Sequence, residues 1–90
     1  MDYILNMRAI GRRVAGKRVE RGLTQQQLAK AASLTQRTIA ILETGQKRSV
    51  SIEALAAVAR VLGVGLDYLV YGEGDEGGDF EPATLVLVGA

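Results

Sequence analysis

Cysteine and histidine are both absent from the 90 residues. Without cysteine there is no disulfide framework and no thiolate metal site. Without histidine the commonest metal ligand and the commonest general base are missing. Asp and Glu can still do chemistry, but no carboxylates cluster in the part that reads as helical, so an enzyme is a poor expectation and no cofactor is expected. Proline occurs once, and Ala, Leu, Val and Arg are plentiful, which favours helix over sheet. No apolar run approaches the roughly 20 residues of a membrane helix. The start, Met1-Asp2-Tyr3-Ile4-Leu5, has an acid where a secretory signal would be basic. A soluble, cytoplasmic, mostly helical protein with one core is the expectation.

The net charge is small, a formal +1, but the charges are unevenly placed. Residues 1–72 hold all 11 Lys and Arg against five acids, a formal +6, whereas residues 73–90 hold five acids and no base. A basic unit followed by an acidic tail suits a polyanionic partner, although a solvated basic surface reads the same way on charge alone.

The chain divides into short helical stretches by its caps and stops. Residues 7–21 read as a first helix with Met7, Ile10, Val14 and Val19 near one face. Arg8, Arg12, Arg13, Lys17, Arg18 and Arg21 fill much of the rest. Gly11 and Gly16 each weaken it by roughly 1 kcal/mol relative to Ala, and Gly22 stops it. Thr24-Gln25-Gln26-Gln27 fits a capping box that opens a second helix, ending near Ala31 or Ala32. Thr35 is the next N-cap. The third helix runs from about 36 to 43, with Ile39 and Leu42 facing the core and Gly45 ending it. A basic loop, Gln46-Lys47-Arg48-Ser49-Val50, leads to Ser51, which caps a fourth helix with Ile52, Leu55, Val58, Ala59 and Leu62 on its core face. Gly63 stops that helix, Leu66-Asp67-Tyr68-Leu69-Val70 makes a fifth, and Gly72 closes a domain of residues 1–72. The acidic, Gly-rich 73–79 stretch reads as a linker. Thr84-Leu85-Val86-Leu87-Val88 reads either as a short strand or as a frayed tail.

Two short helices joined by a turn of about three residues describe a helix-turn-helix. Leu28, Ile39 and Leu42 fill the shared core, Ala29 is small where the helices cross, and Thr24 and Thr35 cap helix starts whose amides are open to phosphates. The stretch GLTQQQLAKAASLTQRTIAILETG followed by IEALAAVARVLGVGLDYL resembles the lambda-repressor-like helix-turn-helix family, the phage repressor and Xre group, over residues 8–72. That resemblance implies an all-α, five-helix domain that binds double-stranded DNA as a homodimer, with the third helix in the major groove.

Carried over by position, the resemblance places Thr35, Gln36, Arg37, Thr38 and Ile41 at base edges. Gln36 carries the amide that pairs with adenine, Arg37 the fork that suits guanine, and Ile41 can only touch apolar groups such as a thymine methyl. Gln25, Thr44, Lys47, Arg48 and Arg13, with Arg12, fall at phosphates, and a Gln25–Gln36 brace is also implied. Arg18 and Glu43 match a position pair that forms an internal salt bridge. Ser33 stands where the family usually has Gly, which asks Ser for a positive φ. The loop after Gly45 is one residue longer than the common spacing and lacks its Pro.

The bland readings are a solvated helix face for Gln36 and Arg37 and an ordinary polar loop for Lys47 and Arg48. Two functions compete. One is a dimeric transcriptional repressor reading a palindromic operator. The other is an antitoxin that grips a toxin with its tail and regulates its own operon. For the dimer, the unpaired apolar run Leu85, Val86, Leu87 and Val88 is an edge that tends to find a second copy. The phage repressors suggest instead the fifth helix and its approach, Val64, Leu66, Tyr68 and Val70.

Overall fold

Each helix in the computed structural model, which describes residues 6–46 and 50–72, begins at a residue suited to start it. Asn6 caps α1 (Met7–Glu20), its Oδ1 accepting from the Ala9 amide at 3.0 Å. Thr24 caps α2 (Gln25–Ala31) in a complete capping box: its hydroxyl accepts from the Gln27 amide, and the Gln27 side chain accepts from the Thr24 amide at 2.8 Å. Thr35 caps α3 (Gln36–Thr44) and Ser51 caps α4 (Ile52–Leu62) in the same way. Gly65 precedes α5 (Leu66–Tyr71) without a side-chain cap. All five elements among the described residues are helices, as expected for the all-α class.

Two of the helix ends show how the chain turns. At the end of α1 the Leu23 amide returns to the Arg18 carbonyl and the Gly22 amide to Val19, with Gly22 at φ +72°. This is the paired closure that a left-handed residue permits. The end of α2 repeats it with Leu34 returning to Ala29 and Ser33 to Lys30, but here the left-handed residue is Ser33, at φ +60°. A side chain in this conformation costs roughly 1–2 kcal/mol, against about 0.5–1 kcal/mol of extra backbone entropy that Gly would lose. Ser33→Gly is therefore expected to raise stability by about 0.5–1 kcal/mol, seen as a higher urea midpoint at unchanged m-value; a lower midpoint would show that the Ser33 conformation carries no net strain.

The core forms where these helices meet. α1 contributes Met7, Ile10 and Val14, α2 Leu28 and Ala29, α3 Ile39 and Leu42, α4 Leu55, Val58, Ala59 and Leu62, and α5 Leu69. Three sequence expectations are corrected. Val19 is 65% exposed, because α1 is buried along Met7, Ile10, Val14 and Lys17, and Val19 lies off that row. Ile52 is 64% exposed: it is the first residue of α4, and Val50 packs against the core just before the Ser51 cap. Val64 is buried in the core, so it has no surface to offer a second subunit.

Lys17 takes the place on α1 that periodicity would give to an apolar residue. Its stem is buried, its ammonium lies 3.3 Å from Glu20 Oε1, and the same ammonium sits 5.4 Å from the centre of the Tyr68 ring. A long cationic side chain can cover apolar surface with its stem while its charge finds a carboxylate and an aromatic face.

Candidate nucleic-acid interface

The exposed side of α3 is defined by what its other side must do. Ile39 and Leu42 are fully buried, and Glu43 is held inward by the partners described below. Gln36 and Arg37 at the start of the helix, and Thr44 at its end, are exposed, while Thr38, Ala40 and Ile41 are half-buried. The residues expected at base edges thus lie on one short helix and its N-cap, Thr35, with the rotation of the helix fixed by the core.

Hydroxyl protons on this helix are partly committed. Thr35 Oγ1 accepts from the Thr38 amide at 3.1 Å and shares a hydrogen bond with Thr38 Oγ1 at 2.9 Å. One of the two hydroxyl protons is used inside the pair, which leaves one for an outside acceptor. Thr44 Oγ1 donates to the Ile41 carbonyl at 2.9 Å. A phosphate oxygen only accepts, so Thr44 would have to give up this bond to donate to one.

Basic side chains divide into two groups. Arg13 Nη1 donates to the carbonyls of Leu69 and Val70 at 2.9 and 3.2 Å, closing the C-terminal end of α5. Arg21 Nε donates to the Leu62 carbonyl at 2.9 Å and closes α4. Both satisfy carbonyls that a helix end leaves without partners, where a cation is also favoured by the helix dipole. Arg13 Nη1 therefore has a structural task at the end of α5, while its Nε and Nη2 are not used in these bonds. Lys17 and Arg18 are likewise held internally. Arg8, Arg12, Lys30, Arg37 and Arg60 are exposed. Arg8 stands beside the end of α3, where a Cβ on Gly45 would lie 2.7 Å from its Cα.

The densest polar cluster surrounds Glu43, whose side chain is only 7% exposed. Arg18 Nε donates to Oε2 at 2.6 Å and Arg18 Nη2 to Oε1 at 3.1 Å, a two-pronged pairing that matches guanidinium to carboxylate. Arg18 Nη1 also donates to the Leu23 carbonyl at 2.8 Å, just before the α2 cap. The hydrogen bonds to Glu43, reinforced by its charge, hold the Arg18 pKa above its ordinary value despite the opposing effect of burial. Gln25 Nε2 donates to Glu43 Oε1 at 3.0 Å. The brace implied between Gln25 and Gln36 is therefore replaced by one between Gln25 and Glu43, which spacing alone gave no means to find.

Leu66, Tyr68 and Val70 of α5 are half-buried and packed against the core. Lys47 and Arg48, and the apolar residues Leu85, Val86, Leu87 and Val88, lie outside the described residues, as does the whole acidic tail on which the antitoxin reading rests. Among the described residues no helix is long and apolar enough to cross a membrane.

Residues 15–69 match the family described as helix-turn-helix. Among solved structures, the clp gene regulator ClgR from Corynebacterium glutamicum is 31% identical, with a TM-score of 0.65 over 74% of this chain and 86% of that one. SinR from Bacillus subtilis, a master regulator of biofilm formation solved in complex with DNA, is 30% identical, with a TM-score of 0.64 over 67% and 95%. The P22 c2 repressor, solved with a synthetic operator, is 25% identical, with a TM-score of 0.67 over 71% and 96%. With its capped helix pair, its fixed third helix and these likenesses, the chain belongs to the lambda-repressor-like helix-turn-helix family of DNA-binding transcription regulators.

Proposed function

We propose that the protein is a dimeric transcriptional repressor that lays α3 in the major groove of a palindromic operator. The observation that carries this reading is the division of α3 into a locked side, Ile39 and Leu42, and an open start, Gln36 and Arg37. Gln36 reads adenine, Arg37 reads guanine and the half-buried Ile41 touches a thymine methyl. Thr35 and Thr38 supply one further donor between them. Gln25, Lys47, Arg48 and the exposed Arg12 meet phosphates, which position the domain without reading sequence. The structures of SinR with DNA and of the P22 c2 repressor with its synthetic operator support DNA binding by this fold. The dimer forms through the flank of α5 at Leu66, Tyr68 and Val70 together with the apolar run at 85–88, so that two recognition helices meet two half-sites about one turn of duplex apart.

Selection of bound duplexes from a random pool tests DNA binding and symmetry together. A palindromic consensus is the expected result, and binding with no preference over random duplex would overturn the reading. On the selected operator, Arg37→Ala is expected to cost about 1–3 kcal/mol and to relax preference at one base pair per half-site, with non-specific affinity little changed. An equal loss on operator and random duplex, measured side by side by fluorescence anisotropy, would place Arg37 at a phosphate instead.

A further inference from the structure

Three donors converge on the Glu43 carboxylate, two from Arg18 and one from Gln25. They join the last turn of α1, the first residue of α2 and the last turn of α3 at a single anion. The ion pair by itself is accounted for as packing between α1 and α3. The Gln25 bond is not, because a half-exposed glutamine at the protein surface needs no internal acceptor: water would serve it.

We propose that Glu43 is a positioning residue for DNA binding, holding the Gln25 side-chain amide so that its second N–H is presented to a backbone phosphate. This rests on the docking proposed above. A carboxylate only accepts, so the Gln25 atom facing Glu43 is the nitrogen, and the orientation of the amide is decided. One N–H is used by Glu43 and the other remains for an outside acceptor, which for a phosphate must be met by a donor. Arg18 serves two purposes in this arrangement. It neutralises an acid that would otherwise repel the duplex, and its bond to the Leu23 carbonyl holds the turn from which Gln25 starts. Ordering Gln25 before DNA arrives removes the cost of freezing a flexible side chain from the binding step.

The inference opposes simple electrostatics. Removing an acid near a polyanion should tighten binding and steepen its salt dependence. Glu43→Gln is expected to do the reverse, because a Gln at 43 has one acceptor oxygen for Arg18 and turns an N–H₂ towards Gln25. On the selected operator, with the full chain, Glu43→Gln and Gln25→Ala are each expected to weaken binding about tenfold. The double variant is expected to be no weaker than Gln25→Ala alone. A loss from Glu43→Gln that is equally large in the Gln25→Ala background would make Glu43 purely structural and overturn the inference, as would tighter binding. Unfolding curves for each variant establish whether it is folded. Glu43→Asp, which keeps the charge for Arg18 but is too short to serve Gln25 as well, gives the same comparison if Glu43→Gln does not fold. A second measurement uses wild-type protein and Gln25→Ala only. Operators with single phosphates replaced by neutral methylphosphonate should weaken wild-type binding at one position where Gln25→Ala loses nothing more. Equal losses at every position would overturn the inference. Absence of any operator preference in wild-type protein would overturn the docking itself, whereas intact operator binding that is indifferent to Glu43→Gln would overturn only the positioning role.

Discussion

Gly11→Ala is expected to lower stability by about 3 kcal/mol, at or beyond the upper end of what overpacking usually costs. A Cβ at this position would stand 2.3 Å from the Leu42 carbonyl oxygen and 2.7 Å from that of Glu43. Both are backbone atoms near the end of α3, so no side chain can swing aside. Relief requires α1 and α3 to move apart, and Ile10, Val14, Ile39 and Leu42, all fully buried, would lose contact with one another. The same substitution at Gly16 isolates the helix-propensity effect, because nothing lies within 4 Å of a Cβ built there. Gly16→Ala should raise stability by about 0.5–1 kcal/mol. Two chemically identical changes five residues apart on one helix should thus shift the urea midpoint in opposite directions. A Gly11→Ala protein as stable as wild type would mean that α1 and α3 do not approach as closely as described. In a domain whose whole stability is roughly 5–15 kcal/mol, the loss is a large share of the total.

Gly11 also marks the boundary of what can be read from the sequence. Read locally, it is only a weak helix former, and its purpose appears once the Leu42 and Glu43 carbonyls are known to pass over it. Features whose cause is local were legible: the capping box at Thr24 and the caps at Thr35 and Ser51 follow from residues within a few positions of each other, whereas the positive φ of Ser33 was expected only from the family resemblance. The core rows of α3 and α4 were legible from periodicity, with an error at Ile52 because periodicity does not say where a helix's first turn runs past the core. The Arg18–Glu43 pairing came from family resemblance, since the two residues are 25 apart and nothing local links them. Arg13 and Arg21 show the same limit from the other side. Each donates to a helix end 56 or 41 residues away, so a count of basic residues does not show which of their N–H groups are committed inside the fold. The proposed site accordingly centres on the face of α3 and the side chains that hold Gln25 beside it.

Arg18→Met is expected to be as damaging as Gly11→Ala by a different route. It keeps most of the aliphatic stem but removes both hydrogen bonds to Glu43 and the one to Leu23. Glu43, with 7% of its side chain exposed, is then left charged and largely dry with Gln25 as its one donor among the partners described. Breaking a buried pair by removing one member costs roughly 3–5 kcal/mol. Because the Arg18 side chain keeps 17% of its surface, water can partly replace it, and about 3 kcal/mol is expected. The larger part of this loss is the stranded carboxylate rather than the missing attraction, so it should be recoverable. Adding Glu43→Leu to Arg18→Met removes the stranded charge and is expected to restore most of the stability in urea unfolding, since an apolar pair of similar volume is often as stable as the ion pair it replaces. If the double variant is no more stable than Arg18→Met, the damage lies in the lost Leu23 bond and the turn it holds. Stability and DNA affinity should then separate: the restored protein has no acceptor for Gln25, so it is expected to fold like wild type and still bind its operator about tenfold more weakly.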